Sequence, residues 1–203
     1  MNLQNPKKFK MLVDQAHETA INVLRPISRK YDKAEHAYPK ELNMLAALLA
    51  GMNESGEGIG AANASKRGTA NPEANVNGDN MSAALGIIEM CYGYTGLLLS
   101  MPRQGLGNSA IAAVANDEQL ERFKGTWAAM AITEPGCGSD SAAIRTTATK
   151  DGDDYILNGE KIFVTSGERA DSVVVWATLD KKLGRAAIKS FVVPKGTAGM
   201  KVE

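Results

Sequence analysis

Met130-Ala-Ile-Thr-Glu-Pro-Gly-Cys-Gly-Ser-Asp140, followed downstream by Asn158-Gly159-Glu-Lys-Ile-Phe-Val-Thr165, decides how this chain is read. A short apolar run, Ala128 to Ile132, breaks at Thr-Glu-Pro-Gly-Cys-Gly-Ser-Asp. Pro135 fixes one φ angle, and Gly136 and Gly138 open backbone conformations closed to other residues. Backbone N–H groups in such a loop can turn toward one point, which suits a phosphate or other anion, with the hydroxyls of Thr133 and Ser139 as adaptable donors beside it. Taken on spacing alone, an ordinary Pro-Gly loop joining two strands is favoured, because such loops are common and few bind phosphate. The second stretch reverses that preference.

Outward from these stretches, the hydrophobic period changes near Trp127. Downstream the chain reads as strands and turns: Asp151-Gly152 and Asn158-Gly159 are hairpin signals, the second lying between Tyr-Ile-Leu and Lys-Ile-Phe-Val-Thr, and Ser172 to Thr178 and Ala187 to Val193 continue the pattern. Upstream the pattern is helical. Phe9, Leu12, Val13, Ala16, Ala20, Val23 and Leu24 recur at intervals of three and four, predicting an amphipathic helix that ends around Pro26. Pro39 suits the first turn of a second helix, carrying Leu42, Leu45, Leu48 and Leu49 and closed by Gly51. Asp79 or Asn80 caps a third, Met81 to Ser100, apolar around most of its circumference and so read as central. Asn108 and Asp117 read as caps of two shorter helices, with Leu120 and Phe123 on the apolar face of the second. Helices followed by strands point to segregated layers or separate domains. The expected division is a helical domain over 1–126, with a flexible insertion at 51–80, and a β-domain over 127–203. The insertion is rich in Gly, Asn, Ala and Ser without an apolar period. Its glycines do not follow a strand and open a helix, so they are weak evidence for dinucleotide binding.

Composition narrows the function classes. Lys plus Arg and Asp plus Glu are 23 each, so no field of one sign invites nucleic acid or a membrane surface. No run is expected to reach transmembrane length, and the N-terminus lacks a secretory apolar core. Two cysteines, Cys91 and Cys137, without metal-ligand spacing suggest a reducing, cytoplasmic location and no disulfide. His17 and His36 are too few and too scattered for a metal site or a catalytic triad.

The two opening stretches, in this order, resemble the flavin-binding segments of the acyl-CoA dehydrogenase family. There a Thr-Glu-Pro-x-x-Gly-Ser-Asp loop is followed, after one hairpin, by an Asn-Gly-x-Lys turn and an aromatic-aliphatic-Thr triplet. The resemblance extends over essentially the whole chain and is specific from about Met130 to Thr165. It implies an α+β fold, an amino-terminal α-helical domain followed by a truncated antiparallel β-domain, and FAD as cofactor. By the same resemblance Met130, Ile132, Thr133, Gly138 and Ser139 contact the cofactor from the loop, and Phe163, Val164 and Thr165 from the second stretch. Thr133 is placed at the pyrimidine side of the isoalloxazine ring and Thr165 near N5. Ser139 is placed by the pyrophosphate or where the CoA part of the substrate enters, and is also the substrate-binding residue. Phe163 packs beside the ring where the family usually has Trp, keeping the apolar face without the indole N–H. Tyr94 to Met101 corresponds to a helix end that lies beside the acyl chain in the family, although an apolar helix end is more often simple core.

The implied reaction is α,β-dehydrogenation of an acyl-CoA thioester to the trans-2-enoyl-CoA. Electron transfer flavoprotein is the implied acceptor and a homo-oligomer, dimer or tetramer, the implied assembly. The family's β-domain continues further, and a carboxy-terminal four-helix domain supplies the catalytic base. Glu134, Glu160 and Glu168 do not replace that base, so no catalytic residue and no turnover are expected from this chain alone. A fragment is the favoured account of its length, ahead of a natural truncation or one part of a split enzyme. The alternatives are an acyl-CoA oxidase or related flavin monooxygenase, or a non-catalytic subunit of a hetero-oligomeric flavoenzyme.

Overall fold

The first apolar stripe of the sequence becomes one long helical run, and in the computed structural model Ala16, Ala20 and Leu24 are its buried face. The structure describes residues 7–35, 37–54, 79–102 and 106–203, with backbone alone for 48–54, 79 and 80. Two compact units divide the chain, Met1–Gln104 and Gly105–Glu203.

In the first unit the run does not stop at Pro26. Helix α1 (Lys10–Thr19) passes through a π turn (Ala20–Leu24) into α2 (Arg25–Lys33). A proline inside an α-helix lacks an N–H and presses its ring on the carbonyl four residues back. Here the Arg25 N–H reaches Ala20 O instead, and the wider turn leaves Pro26 in the first turn of α2, where no donor is missed. Helix α3 (Glu41–Glu54) runs through Gly51 instead of closing there. Of the expected 51–80 insertion, residues 51–54 belong to α3, 79 and 80 to α4, and 55–78 lie outside the described residues, as does His36.

Helix α4 (Asp79–Leu99) is broken at Tyr94, whose backbone is extended (φ −176, ψ 115). Its buried positions, Gly86, Met90, Gly93 and Leu97, form one stripe. Ala16, Leu24, Leu42, Leu45, Met90, Leu97 and Met101 then make one apolar cluster. At Gly93 a Cβ would lie 2.8 Å from Ala20 O, so only glycine lets α4 approach the π turn this closely. The helix is less central than its composition implied: Ile87, Ile88 and Tyr92 are half or more exposed. Contrary to expectation, Met81–Leu99 is long and apolar enough to cross a membrane by length and composition. Its acidic residue Glu89 receives His17 Nδ1 at 2.8 Å.

The second unit adds α5 (Leu106–Val114) and α6 (Asp117–Arg122) to strands β1 (Ala128–Ala131), β2 (Thr147–Asp151), β3 (Asp154–Asn158), β4 (Ser172–Thr178) and β5 (Ile188–Pro194). The two short helices, expected with the preceding ones, group with the sheet. The sheet is mixed, where an antiparallel one was expected. β5 pairs antiparallel with β4 along its whole length. The other edge of β4 takes β1 in parallel over Ser172–Val175, then β2 in parallel at Thr178. β2 and β3 form the Asp151-Gly152 hairpin, Gly152 supplying the positive φ of 60° its turn requires.

Asn108 does not cap α5. Its amide donates to Thr126 O at 2.6 Å and accepts from Ala128 N at 3.0 Å, tying the helix to the start of β1. Gly107 is the close-approach point, since a Cβ there would lie 2.3 Å from Ala129 O. For α6 the cap is Asn116, one residue before the expected Asp117. It forms a capping box with Gln119, in which each side chain bonds the other's backbone N–H.

Candidate functional site

β1 ends at Ala131, and the next three residues carry the hydrogen bonds that organise the candidate site. Lys161 Nζ donates to Ile132 O at 2.9 Å, and Ile162 N donates to Thr133 O at 2.9 Å. Glu134 follows, with its side chain turned inward and only 5% exposed. Pro135 and Gly136 then form the tip of a tight turn, closed by Glu134 N to Cys137 O (2.9 Å) and Cys137 N to Glu134 O (3.1 Å). The loop was expected to gather its N–H groups toward an anion. Two of them are instead spent on closing the turn, and the charge at its centre is the Glu134 carboxylate.

That carboxylate accepts from Lys161 Nζ (2.8 Å), Thr146 N (2.9 Å), Thr146 Oγ1 (2.6 Å) and Arg145 N (2.6 Å). Burial would raise its pKa. The Lys161 ammonium, the Thr146 hydroxyl and the backbone amides of Arg145 and Thr146 outweigh burial and hold the carboxyl at about 2, against an ordinary value of 4.5. Glu134 is therefore ionised and fully engaged at neutral pH, which is the state of an anchor and not of a proton acceptor. A cleft of about 220 Å³ opens beside it, lined by Pro135, Gly136, Arg145, Gly159 and Glu160.

Asn158-Gly159 was expected to turn a hairpin into a strand over Lys161–Thr165, and it does not. Gly159 (φ 157°) lies so close to Thr146 that a Cβ would sit 2.3 Å from its hydroxyl. Lys161 is drawn under β1, and Ile162 bonds to Thr133 instead of pairing with β3. Phe163 then adopts φ 56° and is 89% exposed. Val164 packs on the cluster of Ala129, Ala131, Ala170 and Val173. Thr165 opens a series of turns in which Ser166 has φ 61°.

The residues read as cofactor contacts thus fall into two groups. Met130, Ile132 and Thr133 line the end of β1, joined by hydrogen bonds to the segment that carries Phe163, Val164 and Thr165. Gly138 and Ser139 lie exposed beyond the turn, and no described hydrogen bond links them to the other six. Reading the sequence missed Lys161, Thr146 and Arg145 as organising residues. The Asn-Gly-x-Lys pattern held the one usable signal, a lysine at a fixed distance from a glycine turn. Thr146 and the Arg145 backbone carried none.

Residues 129–203 match the family model described as acyl-CoA dehydrogenase, middle domain. The short-chain specific acyl-CoA dehydrogenase of Clostridium acetobutylicum is 30% identical over 211 aligned residues, which take in 100% of this chain and 52% of that protein. The 3-(aryl)acrylate reductase of Clostridium sporogenes is 39% identical over 119 residues, 56% of this chain and 31% of that protein. Butyryl-CoA dehydrogenase from Megasphaera elsdenii superimposes with a TM-score of 0.71 at 26% identity, covering 98% of this chain and 51% of that one. The chain spans about half the length, or less, of these relatives. Its Thr-Glu-Pro turn, its helical part followed by a mixed sheet, and these likenesses agree: the chain is similar over its length to acyl-CoA dehydrogenases, and residues 129–203 match the middle domain of that family.

Proposed function

We propose that this chain forms one wall of an FAD site and part of the thioester site of an enzyme that dehydrogenates acyl-CoA esters between their α and β carbons. Phe163 is the observation that carries this reading. A large apolar side chain 89% exposed on a left-handed backbone is costly twice over, in hydration and in conformational strain. Strain of this kind clusters at ligand sites, and a flat apolar ligand over the ring would offset the cost of its exposure. Ile132 and Thr133 are half-buried, their carbonyls pinned by the Lys161 ammonium and the Ile162 N–H, which suits the edge of a planar heterocycle.

The residues present fit an isoalloxazine ring on that basis, with Phe163 against its apolar part and Thr133 and Thr165 offering hydroxyls and backbone groups to its polar edge. Met130, Val164, Gly138 and Ser139 complete the proposed contacts, Ser139 on the CoA side. When bound, FAD supplies the hydride acceptor. This chain's part is to orient that group and shield it from water. No general base is assigned to it, and Glu134 is unfit for that role because its carboxylate already accepts from Lys161, Thr146 and Arg145. Electron transfer flavoprotein as acceptor, a homodimer or homotetramer and a cytoplasmic location belong to the same reading.

Native mass spectrometry of the 203-residue chain with added FAD tests the proposal. An FAD-bound species is expected, in which anaerobic addition of an acyl-CoA does not bleach the flavin absorbance. No retained flavin would overturn the cofactor assignment, and bleaching would show that the chain carries a base after all.

A further inference from the structure

Glu134, Lys161, Thr146 and the Arg145 amide form a polar cluster at the end of β1, and none of them is among the residues assigned to contact the flavin or the substrate. Their connections explain why the cluster exists. Lys161 is 9% exposed and Glu134 5%, so each charge depends on the other. Lys161 also donates to Ile132 O, and the next residue, Ile162, donates to Thr133 O. The pair therefore fixes the 161–162 backbone against β1 immediately before the left-handed Phe163. A phenylalanine at φ 56° persists only where its neighbours over-determine the backbone. On its N-terminal side, that work falls to this cluster.

We propose that Glu134 is a positioning residue: its carboxylate, through Lys161, holds residues 162–165 against β1 and so presents Phe163 and Thr165 to the bound flavin. This rests on the flavin reading for its purpose, though the placement of 162–165 can be measured without any flavin. Glu134 acts at a distance, with Lys161 and the Ile162–Thr133 bond as the intervening contacts. The Arg145 amide and the Thr146 amide and hydroxyl add three further hydrogen bonds that fix the carboxylate.

The test compares the wild-type chain with Glu134→Gln, with the milder Thr146→Val, and with Val174→Ala as a control that weakens the sheet core away from the cluster. Backbone hydrogen exchange at Ile162 is read in each without ligand, followed by FAD titration with visible circular dichroism of the bound flavin. Faster exchange at Ile162 with β4 still protected is expected in Glu134→Gln, and a smaller change of the same kind in Thr146→Val. FAD affinity should fall about tenfold or more in Glu134→Gln, as for loss of a charge-assisted buried contact, with an altered flavin dichroism. Val174→Ala should lower the melting temperature and leave both signatures intact. Unchanged Ile162 exchange and unchanged flavin dichroism in both cluster variants overturn the inference while the flavin reading stands. Equal changes in Val174→Ala also overturn it, since any loss of stability would then suffice. If wild type binds no FAD while Glu134→Gln still frees Ile162, the flavin reading fails and the placement of 162–165 by Glu134 holds.

Discussion

At the scale of single residues, two side chains at the site pull in opposite directions. Glu134 is an asset whose value depends on pH. Its folded pKa, about 2, lies below the ordinary 4.5, so its contribution to stability is full above that ordinary value and is lost as pH falls through about 2. The shift corresponds to a contribution on the order of 3 kcal/mol. The melting-temperature gap between wild type and Glu134→Gln should therefore be widest near neutral pH and close as the solution is acidified toward about pH 2. Glu41, also held at about 2 by Lys30 and Tyr31, titrates in the same window on an open surface, and comparison with Glu134→Gln removes it from the measurement. Phe163 is the liability. Phe163→Gly relieves the left-handed backbone but adds freedom to the unfolded chain, so urea unfolding should move by less than about 1 kcal/mol. FAD binding should nevertheless weaken. A large loss of stability in that variant would make Phe163 a structural residue and undercut its proposed role.

At the scale of elements, the junctions between helix and sheet carry the informative residues. Asn108 looks like a cap in the sequence and serves instead as a bracket across α5 and β1, bonding Thr126 O and Ala128 N. Replacing it with alanine strands two partly buried backbone groups and should cost about 1–3 kcal/mol in chemical denaturation. Asn116→Ala removes an exposed capping box and should cost about 1 kcal/mol. A ranking in which Asn116 mattered more would show that Asn108 behaves as a helix residue only. One bond from the Gly107 backbone to a new methyl would be worse, because the Ala128 and Ala129 carbonyls cannot move without breaking the β1–β4 ladder. The π turn at Ala20–Leu24 shows the same economy in the first unit, absorbing Pro26 so that α1 and α2 can present a continuous face to α4.

At the scale of the whole molecule, each compact unit owns its core. The cluster of Ala16, Leu24, Leu42, Leu45, Met90, Leu97 and Met101 draws only on the first unit. The clusters around Val173 and Val174 draw only on the second. A polypeptide of residues 105–203 should therefore fold by itself and melt cooperatively in near-ultraviolet circular dichroism. A broad, non-cooperative transition would show that the sheet depends on the helices before it.

How much of this was legible beforehand differs from element to element. β4 was read at its observed bounds, and the α1 stripe was read correctly, because alternation and the helical period are written directly in the order of apolar residues. The Thr-Glu-Pro turn was likewise visible, since Pro and Gly restrict and free the backbone wherever they occur. The family likeness, too, was carried by a local pattern. What the sequence could not disclose is where side chains end up relative to distant backbone. Lys161–Thr165 has the composition of a strand, yet Gly159 packs on Thr146, Lys161 is captured by Glu134, and the segment leaves the ladder. Pro26 predicts a helix end only if the turn before it is α-helical. The sequence by itself determined the periods, the Thr-Glu-Pro turn and the family likeness. Only the tertiary structure decided that the acidic residue of the loop is a buried anchor, because a charge becomes an anchor through donors from residues 145, 146 and 161, which the chain brings together only on folding.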